Sequence, residues 1–200
     1  MLIIGLNGSP NKEGNTAYLL KEALSEVRSL GADTELIHCT QVLKGLKHPF
    51  CLSCSSPCSA KCYEGTVLEK VFEQFSRCAG IILGSPVYFG TVSGQMKAFW
   101  DKSRAVRHKK TLLNVVGGAL AVGGARFGGQ ETTLRALQDI MLVHGMIVIG
   151  DGYMDDDCGH QGVAAQRPSE LDDNARQRAQ ILARRMVQVC KATQSIRNLP

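Results

Sequence analysis

The chain has 200 residues, enough for one good-sized domain or two very small ones, and its 44% hydrophobic content excludes disordered and fibrous proteins. With 23 Lys and Arg against 18 Asp and Glu, the net charge of +5 is far below that of a dedicated nucleic-acid-binding surface. The longest uncharged stretch, Thr111–Ala125, contains four glycines and is shorter than the roughly 20 apolar residues of a membrane-spanning helix, so we expect no membrane segment.

Strand and helix patterns alternate along the chain. Strands are predicted at Leu2–Leu6, Thr34–His38, Gly80–Leu83, Leu112–Val122 and Met146–Ile149, the fourth with Gly117 and Gly118 at a bulge or a close backbone approach. Helices are predicted from Leu19 to Leu30, at Val67–Phe75, at Gly94–Arg104, at Thr132–His144 and after a capping Ser169. This alternation predicts a parallel sheet with right-handed crossovers in one domain spanning residues 1–200. Residues 39–66 then form a cysteine-rich insert, and residues 150–200 form a tail with the last helix.

A polar loop, Asn7–Thr16, joins the first strand to its helix. It offers backbone N–H groups, the hydroxyls of Ser9 and Thr16, and the amides of Asn11 and Asn15 beside a helix N-terminus, which are the donors that a phosphate monoester needs. The glycine signatures of dinucleotide sites and of P-loop NTPases are both absent. A polar turn that caps the helix is the alternative.

Three segments, each placed after a predicted strand, resemble one family. Gly8–Thr16 (GSPNKEGNT), Gly84–Asp101 and Gly123–Glu131 are similar to the flavin-binding loops of NAD(P)H-dependent FMN reductases and iron–sulfur flavoproteins, over about the first 150 residues. The resemblance implies an α/β, flavodoxin-like, doubly wound sheet of five parallel strands in the order 2-1-3-4-5. Ligands of such sheets lie beyond the carboxyl ends of the strands, where these loops are.

The resemblance also implies bound FMN but no particular catalytic acid or base. The expected FMN-binding residues are Ser9, Pro10, Asn11, Asn15, Thr16, Pro86, Val87, Tyr88, Phe89, Gly90, Gly123, Gly124 and Arg126. For Tyr88 and Phe89 the alternative is ordinary packing, and for Arg126 it is a surface ion pair. Related reductases complete the flavin site with a neighbouring subunit, so we expect a homodimer or homotetramer with Tyr88–Phe89 and Phe99–Trp100 at an interface.

Four cysteines occur within twelve residues: Cys51, Cys54, Cys58 and Cys62. Closely spaced thiolates are typical ligands of zinc or of an iron–sulfur cluster. Iron–sulfur flavoproteins carry a compact cysteine motif in the same insert, which favours a 4Fe–4S cluster. Their usual spacing begins CxxCxxC, however, and the departure here leaves zinc open. Because the insert follows the second strand, we expect it at the same edge as the flavin loops, where a redox centre is useful.

The other cysteines need no special role, since Cys39, Cys78 and Cys190 are expected to be buried. Cys158 lies in Asp155–His160, which we interpret as a solvated acidic loop rather than a metal site. The basic segment Arg104–Lys110 is expected to be a solvated loop; guiding an acidic electron carrier or a nicotinamide phosphate is the alternative.

These patterns favour a flavin-dependent oxidoreductase that moves electrons between FMN, a 4Fe–4S cluster and an external carrier or small acceptor. A donor such as ferredoxin or NAD(P)H is expected, and no nucleic-acid or membrane partner. Without an evident export signal, the eight cysteines favour the cytoplasm. The alternatives are an NAD(P)H-dependent FMN or quinone reductase with a structural zinc loop, and a zinc-containing binding module.

Overall fold

The computed structural model describes residues 1–197, and its centre is a parallel β-sheet. The strands are β1 (Leu2–Asn7), β2 (Asp33–His38), β3 (Cys78–Pro86), β4 (Val116–Gly123), β5 (Ile147–Val148) and β6 (Val163–Gln166). They follow the order β2-β1-β3-β4-β5, and β6 also pairs with β4. The predicted order 2-1-3-4-5 is therefore confirmed. All of the strand pairs are parallel, so the loops that follow the strands emerge at one edge.

Helices cover both faces of this sheet. They are α1 (Asn15–Ser29), α2 (Cys39–Val42), α3 (Val67–Phe75), α4 (Gly94–Asp101), α5 (Arg104–His108), α6 (Gln130–Val143) and α7 (Asp173–Ala192), with 3₁₀ turns at Ser169–Leu171 and Gln194–Ile196. Ile3 belongs to the core layer shared with α1 and α7, whereas Ile4 belongs to the layer shared with α2 to α6, because successive strand side chains point to opposite faces. No helix in the described part of the chain is long and apolar enough to cross a membrane.

The fifth position of the sheet is shared by two short strands. β5 pairs with Val116 and Gly117, and β6 continues the same edge beside residues 120–123 of β4. Residues 149–162, between these strands, fold outward onto α7. Arg178 binds both Asp151 and Asp157, at 2.7 and 2.8 Å. The predicted acidic loop is thus exposed, as expected, but it is held in place by ion pairs.

Other element boundaries differ from the sequence pattern. The fourth strand begins at Val116 rather than Leu112. The helix that starts at Gly94 ends at Asp101, and most of the basic segment Arg104–Lys110 forms α5 instead of a solvated loop. The last helix is capped by Asp172, whose carboxylate accepts the Ala175 N–H at 3.0 Å, rather than by Ser169.

The glycine pair inside β4 marks a close approach of helices to the sheet, as predicted. A Cβ atom at Gly117 would collide with Met141 of α6, and one at Gly118 would lie 3.0 Å from Leu182 of α7. Helices on the two faces therefore pack directly onto β4. Cys39, Cys78 and Cys190 are buried in these two layers, which confirms their expected place in the core.

Candidate functional site

Three loops meet at the carboxyl edge of the sheet: the first loop (residues 8–16), the second loop (86–93) and the third loop (123–129). The N–H of Gly8 donates to the carbonyl of Gly84 at 2.8 Å, and that of Val87 donates to Val122 at 2.9 Å. The hydroxyl of Thr132, in the first turn of α6, donates to the carbonyl of Gly90 at 2.6 Å. All thirteen residues predicted for FMN thus lie on connected segments of one edge.

The first loop is shaped by short side-chain hydrogen bonds. Ser9 Oγ accepts the Asn11 N–H at 3.1 Å, and Asn11 Oδ1 accepts the Glu13 N–H at 3.0 Å. These acceptor contacts leave the hydroxyl proton of Ser9 free to donate. Ser9 and Thr16 are both buried, at 7% and 2% exposure.

The N-terminus of α1 is open to an anion. Its N-cap residue is Gly14, which provides no side-chain cap, and no acidic residue lies in the first turn. The first N–H groups of a helix have no partner within the helix and carry partial positive charge. The start of α1 and the hydroxyls of the first loop therefore form a donor-rich cradle of the kind that binds phosphate.

Ser93 connects the first two loops and was missed by the sequence analysis. Its fully buried hydroxyl accepts the Met96 N–H at 3.1 Å, which caps α4, and donates to the carbonyl of Gly8 at 2.5 Å. A Cβ atom at Gly8 would lie 2.8 Å from Met96, so only glycine fits there. The sequence signal that could have identified Ser93 as a helix cap is its position three residues before Met96, the first buried apolar residue of α4.

The second loop ends in a tight turn with an exposed aromatic side chain. Tyr88 and Thr91 exchange backbone hydrogen bonds of 3.0 and 3.2 Å, and Phe89 between them has a φ of 51°. Such a conformation is strained for a bulky residue and occurs mainly at functional positions. The Phe89 side chain is fully exposed, as is Phe127 of the third loop at 95%.

The expected interface role of Phe99–Trp100 is wrong. Both side chains are buried, Phe99 at 0% and Trp100 at 5% exposure, and their rings pack edge to face within the core. Their helical spacing after Met96 places them on the face of α4 that packs against the sheet. Of the aromatic residues proposed for an interface, only Tyr88 and Phe89 are exposed.

The third loop is organised by Gln130. Its buried side chain accepts the Gly128 N–H at 2.9 Å and donates to the carbonyls of Ala125 and Ala165. A Cβ atom at Gly123 would collide with this amide, which explains the glycine. Arg126 lies with its guanidinium 5.7 Å from the centre of the Phe127 ring.

A fourth segment, residues 167–169, also belongs to this edge and was missed because β6 was not predicted. The N–H of Arg167 donates to the carbonyl of Gly123 at 3.0 Å, and that of Ser169 donates to Asn15 Oδ1 at 2.7 Å. Ser169 is fully buried and its hydroxyl has no partner in the described residues. A cavity of about 520 Å³ lies between this segment and the third loop, lined in part by Arg126 and Arg167.

The four clustered cysteines line a single cavity of about 270 Å³. Ser53 connects this cavity to α5: its N–H donates to Cys51 Sγ at 3.3 Å, and its hydroxyl accepts from Arg104 Nη1 at 3.1 Å. Tyr63 packs edge-on against Phe72 and anchors the end of the insert in the core. Burial, with a contribution from Cys58 and Cys62, raises the pKa of Tyr63 to about 12.

The four thiols suit a metal group by chemistry and by their shared cavity, but they are not gathered around one point. No three His, Cys, Asp or Glu side chains among residues 1–197 are close enough to hold a single metal ion. A zinc ion about 2.3 Å from each thiolate would need sulfur atoms within about 3.8 Å of one another. The chemistry of the four thiols suits either zinc or an iron–sulfur cluster.

The cysteine cavity and the flavin loops lie toward opposite ends of α4. The insert starts beside the N-terminus of this helix, where Pro49 and Phe50 share a cavity with Gly94, and reaches Lys102 and Arg104 at its other end. Eight helical residues span about 12 Å. The start of the insert therefore lies at the edge of the sheet where the three loops meet, as expected. The four thiols lie further along α4, away from that edge.

A buried histidine adjoins the cysteine segment. His144 Nε2 lies 3.0 Å from Ser103 Oγ, whose proton is donated to the carbonyl of Trp100, so the imidazole N–H donates to Ser103. Burial, and to a smaller extent Arg107, lowers the pKa of His144 to about 4. The residue is therefore neutral at pH 7, and it lines a cavity with Cys51 and Trp100.

Comparison with known proteins agrees with this geometry. A family model described as NADPH-dependent FMN reductase matches residues 1–161. The chain is 40% identical over 194 residues to an iron-sulfur flavoprotein of Methanocaldococcus jannaschii, covering 96% of this chain and 98% of that protein. It is 33% identical over 201 residues to an iron-sulfur flavoprotein of Methanosarcina thermophila, covering 99% and 100%. Among solved structures, a flavodoxin, WrbA-like protein from Agrobacterium tumefaciens has the same fold, with a TM-score of 0.67, 18% identity, and 96% and 98% coverage.

Proposed function

The chain belongs to the NADPH-dependent FMN reductase family, and from that premise we propose that it is a redox flavoprotein linking bound FMN, a 4Fe–4S cluster and an external carrier or small-molecule acceptor. The observation that carries the proposal is the presence of two separate sites on one chain. One is the uncapped start of α1 with its hydroxyl-bearing loop, and the other is the cavity lined by four thiols. The names of the two relatives combine the same two groups.

FMN would bind at the sheet edge with its phosphate in the first loop. The hydroxyls of Ser9 and Thr16 and the first N–H groups of α1 would donate to the phosphate, and Asn15 would hold the Ser169 segment beside it. The isoalloxazine ring would lie between the second and third loops, where Tyr88, Phe89 and Arg126 offer aromatic and cationic contacts. Bound FMN supplies hydride and single-electron chemistry, which the protein positions and tunes.

The cysteine-held group would be a 4Fe–4S cluster, with Cys51, Cys54, Cys58 and Cys62 as its ligands. The names of the two iron-sulfur flavoprotein relatives support a cluster over zinc, although the spacing of the motif differs from the usual one. A cluster supplies one-electron chemistry. Exposed Lys47 and Lys61 beside this cavity would suit an acidic one-electron donor such as ferredoxin.

Exposed Phe89 and Phe127 at the flavin edge support a homodimer or homotetramer in which a neighbouring subunit covers the site. The eight free cysteines are consistent with the cytoplasm, where thiols stay reduced.

An NAD(P)H-dependent FMN or quinone reductase is the second candidate. The cavity beside the third loop favours it, because Arg126 and Arg167 both line that cavity and offer charge to the phosphates of a nicotinamide nucleotide. In that case the cysteine segment would bind zinc and have only a structural role. NAD(P)H would then reduce the flavin without any cluster.

The deciding experiment is the visible spectrum of anaerobically purified protein, together with iron, sulfide, zinc and FMN per chain. Flavin bands with a broad iron–sulfur shoulder support the proposal. Flavin bands with stoichiometric zinc support the second candidate, and a colourless zinc protein would indicate a binding module instead.

The phosphate assignment has its own test in FMN and riboflavin titrations. Replacing Ser9 and Thr16 together with Ala removes two donors, each worth about 0.5–1.5 kcal/mol, or about 3 kcal/mol toward a charged acceptor. The affinity of the variant for FMN should fall strongly. Its affinity for riboflavin, which is already weak in the unaltered protein, should change little. Equal affinities of the unaltered protein for the two flavins would contradict the assignment.

A further inference from the structure

Lys102 is a buried lysine in the wall of the cavity that the four cysteines line. It follows the last residue of α4, is only 3% exposed, and lines the thiol cavity. The other charged or titratable side chains around that cavity, apart from the thiols, are Lys47, His48, Lys61 and Arg104, and no carboxylate is among them. In the part of the chain that the structure describes, Lys102 takes part in no ion pair.

The protein encloses most of the Lys102 side chain, so solvent and salt screen its charge less than that of a surface lysine, and a nearby negative charge is favourable. The anionic chemistry that this cavity provides is the set of four thiolates. Four thiolates around a group of charge +2, whether a zinc ion or an oxidised 4Fe–4S cluster, leave a net charge of −2, which becomes more negative when a cluster is reduced. The lysine and the thiolates therefore complement each other.

We infer that Lys102 is the buried counter-ion of the cysteine-held metal group, retaining it and, for a redox-active group, raising its reduction potential. This inference rests on the proposed presence of a metal group at the four cysteines. Lys61 lines the same cavity but is exposed, so solvent and salt screen its charge. Burial, rather than the number of positive charges, should decide which lysine matters.

The test compares Lys102→Met with Lys61→Met in the anaerobically purified, FMN-containing protein. Methionine keeps most of the buried stem and removes the charge. The midpoint potential of the iron–sulfur group should shift to more negative values in K102M, because the reduced, more negative form loses its counter-ion. The midpoint potential of K61M should stay close to that of the unaltered protein, because the charge of Lys61 is exposed to solvent. An unchanged potential in K102M, or equal shifts in both variants, would overturn the inference.

Metal retention gives a second readout that does not depend on the kind of metal. Release of iron or zinc to a chelator should be about tenfold faster or more in K102M, and nearly unchanged in K61M. Lys102→Arg keeps the charge and should restore both potential and retention; Lys102→Gln, a polar alternative if K102M fails to fold, should behave like K102M. Zinc in the unaltered protein would contradict the proposed cluster, and the role of Lys102 would then be tested by the rate of zinc release. Equal rates of metal release in all variants would reject that role.

Discussion

The side chain of Asn15 accepts a hydrogen bond of 2.7 Å from the backbone N–H of Ser169, which lies 154 residues further along the chain. Asn15 is the first residue of α1, and Ser169 is fully buried in the turn that precedes α7. The contact joins the donor-rich first loop to a segment that the sequence analysis assigned to an irregular tail. The proposed phosphate site therefore combines a segment near the start of the chain with one that comes more than 150 residues later.

Replacing Asn15 with Ala should weaken FMN binding. The substitution leaves the buried Ser169 N–H without its partner and releases the segment beside the first loop, at a cost of about 0.5–1.5 kcal/mol. A fluorescence titration should show the FMN dissociation constant rising by up to about tenfold. Asn174→Ala, an exposed change in the first turn of α7, is the matched control and should have no effect. Unchanged FMN affinity in N15A would mean that the contact only ties down the tail.

Stability should fall between pH 7.5 and pH 5 because of His144. Burial lowers its pKa from 6.5 to about 4 in the folded protein, so the unfolded chain binds a proton first as the pH decreases. The stabilisation is complete above pH 6.5 and disappears as the pH falls toward 4. Its loss by pH 5 corresponds to about 2 kcal/mol in the free energy of unfolding.

Urea denaturation of the unaltered protein and of His144→Gln at the two pH values measures this contribution. The variant should have lower stability at pH 7.5 and a flatter pH dependence. His108→Gln, at an exposed position in the neighbouring α5, should retain the slope of the unaltered protein. Equal slopes in all three proteins would show that His144 titrates normally in the folded state.

The meeting of the three loops at one edge of the sheet could be predicted from sequence because each loop is encoded locally. Short apolar strands followed by Gly, Ser and Asn identify where the chain turns, and parallel topology then brings those turns together. The Ser169 segment could not be found this way. The strand that leads to it, β6, has only four residues, of which Val163 and Ala165 are buried, and it is separated from β5 by residues 149–162. Its partner is fixed by long-range pairing with β4, which no local pattern records.

The proposed metal ligands could be named from sequence for the same local reason, but their surroundings could not. Four cysteines within twelve residues suggest a metal site wherever the insert folds. Lys102 lay inside a predicted helix that instead ends at Asp101, so a residue that lines the thiol cavity looked like an ordinary helical lysine. Tertiary packing of the insert along α4 decides which charges surround the cavity.

Asp151→Ala should destabilise the protein by about 3–5 kcal/mol. Asp151 is 1% exposed, binds Arg178 at 2.7 Å and accepts the His160 N–H. Its removal leaves the largely buried guanidinium of Arg178 with only the exposed carboxylate of Asp157 as an ion-pair partner. Removing one partner of a buried ion pair typically costs about 3–5 kcal/mol. Urea denaturation should show the loss. Asp33→Ala, whose side chain is 84% exposed in its ion pair, should cost less than about 1 kcal/mol. Similar small effects in both variants would show that the 149–162 segment contributes little to stability.

Cys54→Ser should remove the metal group and spare FMN. The thiol cavity lies toward the far end of α4 from the flavin loops, and those loops follow β1, β3 and β4, whereas the cysteines follow β2. Loss of one ligand should also loosen the insert, since much of its order would come from the metal. Cys158→Ser is the matched control, because Cys158 is exposed and lies outside the thiol cavity, in the 149–162 segment.

Iron, sulfide and FMN per chain, measured in both variants, give the first outcome: C54S should lose iron and sulfide but bind FMN normally, and C158S should match the unaltered protein. The second outcome is kinetic. Dithionite should still reduce the flavin of C54S, whereas reduction driven by ferredoxin should fail, because a one-electron carrier would have lost its entry point. Iron-free C54S that turns over normally with ferredoxin would contradict the relay and leave the cysteine segment a structural staple. Loss of FMN together with iron would instead show that the two sites are coupled through α4.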